Sequence, residues 1–172
     1  GGIIERDAHG EPTGIMREPS ATALITLHVP KPTVAQARDS LDRALQQMLS
    51  FGITSYTEAA VGFVAGPDVE MQAYAALADA GRLKQRATLC ITWAPGSQDA
   101  ERIIRWRALY ARDRLSPGCV KIFLDGVPTD SKTAAMLEPY VGAAAGRADA
   151  DSRTGMLLVK QDELNAAVTR FD

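Results

Sequence analysis

The sequence predicts an α/β protein in which parallel strands alternate with helices. Two observations carry that reading. Short apolar, β-branched runs take turns with longer stretches whose apolar residues recur at helical spacing, and glycine or proline marks most of the boundaries. That alternation favours right-handed βαβ units on a parallel sheet. The chain has 172 residues, with 46% hydrophobic and 23% charged side chains, which is enough for one core.

In chain order, residues 1–20 (GGIIERDAHGEPTGIMREPS) read as a hairpin or ordered loop around Asp7-Ala8-His9-Gly10, because Asp and Gly supply turn backbone. A link follows, ending at Pro30 and Pro32. Thr33 is placed to cap a helix that carries Val34, Ala37, Leu41, Leu45, Met48 and Leu49 on one side, with Gly52 as its stop. Ile53 to Thr57 form a short strand. Pro67-Asp68 open a second helix through Met71, Ala73, Leu77 and Ala80 to Gly81. Ala87 to Trp93 (ATLCITW) is almost continuously apolar, as a strand covered on both faces would be.

A third helix runs from about Gln98 through Ile103, Ile104 and Leu109. Pro117-Gly118 break the chain, and Val120 to Leu124 make the next strand. An irregular segment follows, with a short helix over Thr133 to Leu137. Asp162 to Phe171 close the sequence as a helix, with Leu164, Ala167, Val168 and Phe171 on one face. A helix with no strand after it is an unfinished βαβ unit. The organisation is therefore an entry segment over 1–32 and a βα segment over 33–172.

A net charge of −2 with mixed signs argues against a nucleic-acid surface, which needs a basic stripe. No apolar run approaches the roughly 20 residues that cross a bilayer. No signal peptide is visible, although the chain starts at Gly1 and a targeting segment could lie upstream. A cytoplasmic location is the expectation. Cys90 and Cys119 sit in apolar stretches without metal-type spacing and read as buried free thiols.

Lys121 is the candidate residue for chemistry. A lysine inside an apolar strand (GCVKIF) needs a reason, because lysine is rarely buried without a partner. It either points outward from an edge strand or is held inside, where a neutral amine can act as a nucleophile, form a Schiff base or become a metal-binding carbamate. Asp125 closes the same strand, at the end where sites collect in parallel sheets, or else simply makes a turn with Gly126. Glu58 follows ITSYT in the same topological position, and is otherwise an exposed loop carboxylate. His9 reads as an exposed turn residue and His28 as a core side chain. Two distant histidines make neither an HxH nor an HExxH motif, and no GxSxG elbow, P-loop or GxGxxG is present.

Several stretches resemble the family 3 amidohydrolases, the branch that includes N-substituted formamide deformylases. GGIIERDAHGEPTGIMRE looks like the family's GG-x-I-x-RD-x-x-G-x-PTG segment. FGITSYTEA is similar to its GITS-plus-acidic strand. AYAALADAGRLKQRATLC, VKIFLDGVPTDSKTAAMLEPY and GMLLVKQDEL follow in family order, so the resemblance spans essentially the whole chain. It implies a partial (β/α)8 TIM-type barrel, about strands two to four, of a hydrolase acting on C–N bonds of small amide-like substrates.

The resemblance also implies a divalent metal, usually zinc. The family holds it with an HxH after the first strand, a carboxylated lysine after the fourth, histidines after the fifth and sixth, and an aspartate after the eighth. Only the lysine has a counterpart here, at Lys121. A barrel needs about 250 residues, so the sequence reads as an internal fragment, inactive alone, with exposed sheet edges open to self-association. Where the family often has aspartate, this chain has Glu58. A small non-catalytic α/β ligand-binding domain is the alternative.

Overall fold

A computed structural model describes residues 2–96, 100–129, 132–141 and 154–172. The chain divides into two compact units, one of Gly1–Pro30 with Phe123–Lys160 and one of Lys31–Ile122 with Gln161–Asp172.

The first unit opens with β1 (Ile3–Arg6) and β2 (Pro12–Arg17), an antiparallel hairpin in which Ile3 faces Arg17 and Ile4 faces Met16. Its turn is tied by Asp7, whose Oδ1 accepts from the amides of His9 (2.8 Å) and Glu11 (3.0 Å). An Asx-type turn of this kind favours a tight reversal, and backbone bonds from Asp7 N to Glu11 O (2.8 Å) and from Gly10 N to Asp7 O (3.0 Å) close it. A helix, α1 (Pro19–Thr26), follows where the sequence suggested only a link. Proline at its first turn suits a helix start, but no side chain caps it, and Glu18 at the N-cap has a φ of 67°. His28 lies just past α1 and is exposed, so it is not the core side chain the sequence suggested. The short helix expected over Thr133 to Leu137 does not form. Two backbone hydrogen bonds tie that segment to the residues around Gly155 instead, with Met156 N donating to Thr133 O (3.2 Å) and Met136 N to Thr154 O (2.8 Å).

The second unit holds the βα alternation. It begins with α2 (Val34–Ser50), whose start is a reciprocal cap. Gln36 N donates to Thr33 Oγ1 (3.2 Å), and Thr33 N donates to Gln36 Oε1 (2.9 Å). Two orphan amides are satisfied at once. Gly52, at φ 77°, turns the chain out of the helix. Then come β3 (Ser55–Val61), α3 (Pro67–Asp79), β4 (Arg86–Trp93), α4 (Ala100–Leu109), β5 (Leu115–Ile122) and α5 (Gln161–Phe171). The three strands form a parallel sheet in the order β3-β4-β5. This is the mixed α/β arrangement that the alternation predicted.

Along β4, Ala87, Leu89 and Ile91 are buried and face the helices. They pack in one cluster with Leu45 of α2, Met71, Tyr74 and Leu77 of α3, and Ile103 and Trp106 of α4. Burying each large side chain of this set contributes about 1.5–3 kcal/mol. On α5, Phe171 meets Trp93 edge to face at 5.8 Å, and its carbonyl accepts from Arg107 Nη1 (3.1 Å). At the far end, Arg82 pairs with Asp42 and holds that carboxyl below its ordinary value. A depressed carboxylate stabilises the fold at neutral pH, and the contribution is lost as pH falls below the usual carboxylate range.

Two strands differ from their sequence-based bounds. β3 extends to Val61, which puts Glu58 inside the strand and not after it. β5 starts at Leu115 and runs through Pro117-Gly118, where the sequence suggested a break. The ladder shows how. Thr88 faces Ser116 but Cys90 faces Cys119, so β5 carries one extra residue at the proline. An irregularity on a strand paired on one side among the described residues accommodates the missing N–H.

Candidate functional site

Lys121 sits on β5 directly opposite Thr92 of β4. Its neighbour Val120 faces Ile91 and packs against the core, so alternation turns Lys121 to the sheet face away from the helices. There it is half-buried. Thr92 is itself anchored, its Oγ1 donating to Val61 O of β3 at 2.7 Å. One step back on the same face, Cys90 and Cys119 oppose each other and are joined by a disulfide, with a Cα–Cα distance of 4.4 Å. They are half-buried and bonded, not the sealed free thiols that composition suggested. Adjacent strands bring the two apolar stretches into register, which spacing along the chain does not reveal.

Glu58 belongs to the opposite face. It pairs in register with Leu89, which points at the helices. Its carboxylate, 3.3 Å from the amide of Ala60, helps line a groove of about 500 Å³ with Gln36, Ser40, Phe63 and Tyr74. Burial, reinforced by Tyr56 and by the carboxylates of Glu58 and Glu70, raises the Tyr74 phenol well above its ordinary value, so it stays protonated. The structure therefore does not bring Glu58 and Lys121 together. Glu70, which sequence reasoning passed over, anchors the loop after β3. Its Oε2 accepts from Gly62 N (2.6 Å), and its Oε1 from Val64 N (3.1 Å) and Ala65 N (2.6 Å). An acidic residue in the first turn of α3, just after a glycine-bearing loop, was its only signal.

Asp125 falls in the first unit, where Oδ2 accepts from the amide of Ala135 at 3.0 Å. Beside it in that unit, the buried Thr133 hydroxyl donates to Glu18 Oε1 and accepts from Val127 N (3.0 Å). Asp125 and Glu18 thus both hold the segment that follows Gly126. His9 is exposed in its turn.

Among the described residues, no three His, Cys, Asp or Glu side chains stand together as a metal site. Lys121 offers at most one donor, so these residues do not by themselves fit a bound catalytic metal.

The model of the amidohydrolase family matches residues 1–172, and the chain belongs to that family. It is 30% identical over 145 residues to the Bacillus subtilis (strain 168) protein named "Putative amidohydrolase YtcJ", a match covering 81% of this chain and 25% of that protein. It also resembles the crystal structure of an uncharacterized metal-dependent hydrolase from Pyrococcus horikoshii OT3. That match has a TM-score of 0.63 at 20% identity and covers 93% of this chain and 30% of the other. At such an identity the likeness shows the fold alone. The chain thus spans about a quarter of the length of the curated relative.

Proposed function

We propose that this chain is one part of a metal-dependent hydrolase of C–N bonds in small amide-like substrates, to which it contributes Lys121 as a ligand. The observation that carries the reading is the position of Lys121, half-buried near the C-terminal end of a parallel strand and on the sheet face opposite the core cluster of α2, α3 and α4. In α/β barrels that end is where chemistry collects. A carbamate on the Lys121 amine converts a cation into an anionic oxygen donor suited to a divalent ion, zinc above all. Family membership and the fold shared with part of a metal-dependent hydrolase support the reading. Barrel closure and the remaining ligands belong to residues outside those described.

The coding region on either side tests this directly. An HxH motif upstream, with two separated histidines and an aspartate downstream, is expected, and their absence contradicts the proposal. The 172-residue chain alone is expected to hydrolyse no amide with zinc supplied, because one donor cannot hold a catalytic metal. Zinc-dependent turnover by the purified chain would overturn that.

The reading also includes self-association. Strands β3 and β5 each pair on one side only among the described residues, and unpaired strand edges recruit further strands. Sedimentation of the isolated chain is expected to show assembly that grows with concentration, and a clean monomer at high concentration counts against it.

A further inference from the structure

We propose that the groove beside β3 is a binding site for a small organic cation, a protonated amine on an apolar body, with Glu58 as its counterion. Three observations lead there. The first is the state of the carboxylate. Glu58 is half-buried on the helix side of β3, and its one hydrogen bond among the described residues is the long contact of 3.3 Å that Oε1 accepts from Ala60 N. Among those residues it also joins no ion pair. Taking a charge out of water is costly unless a partner meets it. Glu70, by contrast, already gives both oxygens to the amides of Gly62, Val64 and Ala65.

The second observation is the lining. The groove holds about 500 Å³, inside the range of roughly 300–1,000 Å³ in which small molecules bind. Its walls are mostly apolar, Ala37, Leu41 and Ala44 of α2 and Ala73 of α3 among them, and Phe63 adds an aromatic ring. Among the described residues no Lys, Arg or His lines it, so its charge comes from Glu58 and Glu70. An anion is repelled there. A cation with an apolar body meets a complementary surface on both counts.

The third is a pair of phenols. Tyr74, 5% exposed, lines the same groove. Tyr56 stands two residues before Glu58 on the same face of β3, and its buried hydroxyl has no hydrogen-bond partner among the described residues. Burial raises both phenols and the Glu58 charge adds to it, so each stays neutral. Neutral phenols leave the carboxylate charge unbalanced, and the Tyr74 oxygen is a further acceptor for an ammonium. Glu58 and Lys121 occupy opposite faces of the sheet, so this site is separate from the proposed metal site.

The test uses the 172-residue chain without metal, so its outcome is separate from that of the proposed hydrolysis. Calorimetric titrations compare benzylammonium, benzyl alcohol and benzoate, which share a ring and differ in charge. Benzylammonium is expected to bind at one site, about tenfold or more tighter than the alcohol, as a hydrogen bond to a charged group supplies. Benzoate is expected to give no binding heat. Glu58→Gln keeps the side-chain size and removes the charge, and is expected to bring benzylammonium down to the affinity of the alcohol with the melting temperature unchanged. Ser40→Trp, at an exposed α2 position that lines the groove, is expected to weaken both ligands by obstruction. Equal affinity of the wild type for the ammonium and the alcohol, or benzylammonium binding that survives either substitution undiminished, overturns the proposal.

Discussion

Replacing Lys121 by alanine in the protein expressed from its complete coding region is expected to lower amide hydrolysis by more than about 100-fold, since even partners of metal ligands cost 10–100-fold when removed. Lys121→Arg is expected to fail as badly. Arginine keeps the positive charge and much of the length, but its guanidinium stays protonated and does not form a carbamate. This pair of variants separates two roles for the amine. If Lys121 served only as a cation, arginine would retain much of the activity. The side chain is half-buried on the sheet face opposite the core cluster, so neither substitution opens a hole in that core. Thermal melts close to that of the wild type are expected for both, and kcat/KM measured alongside them checks the prediction. Near-normal turnover by either variant removes Lys121 from the chemistry.

The largest effect on stability is expected from Leu89→Ala. Leu89 lies at the middle of the central strand, is fully buried, and faces helices α2, α3 and α4 through the cluster of Leu45, Met71 and Ile103. Truncation removes apolar contact and leaves a cavity that close-packed neighbours fill only in part, at a cost of about 2–5 kcal/mol. A domain has only about 5–15 kcal/mol in hand. Leu109→Ala, at a leucine 61% exposed, is the control and is expected to shift stability by less than about 0.5 kcal/mol. Urea titration of the chain checks both. A midpoint that falls equally for the two variants contradicts the assignment of the core.

What could be read from the sequence was local or periodic. Thr33 with Gln36, followed by apolar residues at helical spacing and Gly52, is a complete set of start and stop signals, and α2 lies between them. The ATLCITW run has no polar side chain beyond threonine, and it is the central strand. By contrast, α1 has neither a capping side chain nor a clean apolar stripe, and several of its large residues, Leu24 and Ile25 among them, are exposed. Proline at its first turn is a helix-start signal, but no capping side chain accompanies it. Pro117 misled in the other direction, since a proline that breaks a central strand is tolerated on a strand that, among the described residues, pairs on one side.

The site divides in the same way. The strand that carries Lys121 was legible, because a lysine in an apolar run is conspicuous. The face of each side chain was not, since it depends on register. Glu58 turned out to stand opposite Leu89, and the cysteines opposite each other, through pairings between residues far apart in sequence. The Glu18–Thr133 hydrogen bond joins residues still further apart and left no local trace.

The central proposal is that Lys121, as its carbamate, supplies one ligand to a catalytic metal. Its most direct measurement is the metal content of the protein from the complete coding region, determined after exhaustive dialysis for the wild type and for Lys121→Ala. The account predicts at least one equivalent of divalent metal in the wild type and a large loss in the variant, with the fold intact. Equal metal content in the two proteins would contradict it.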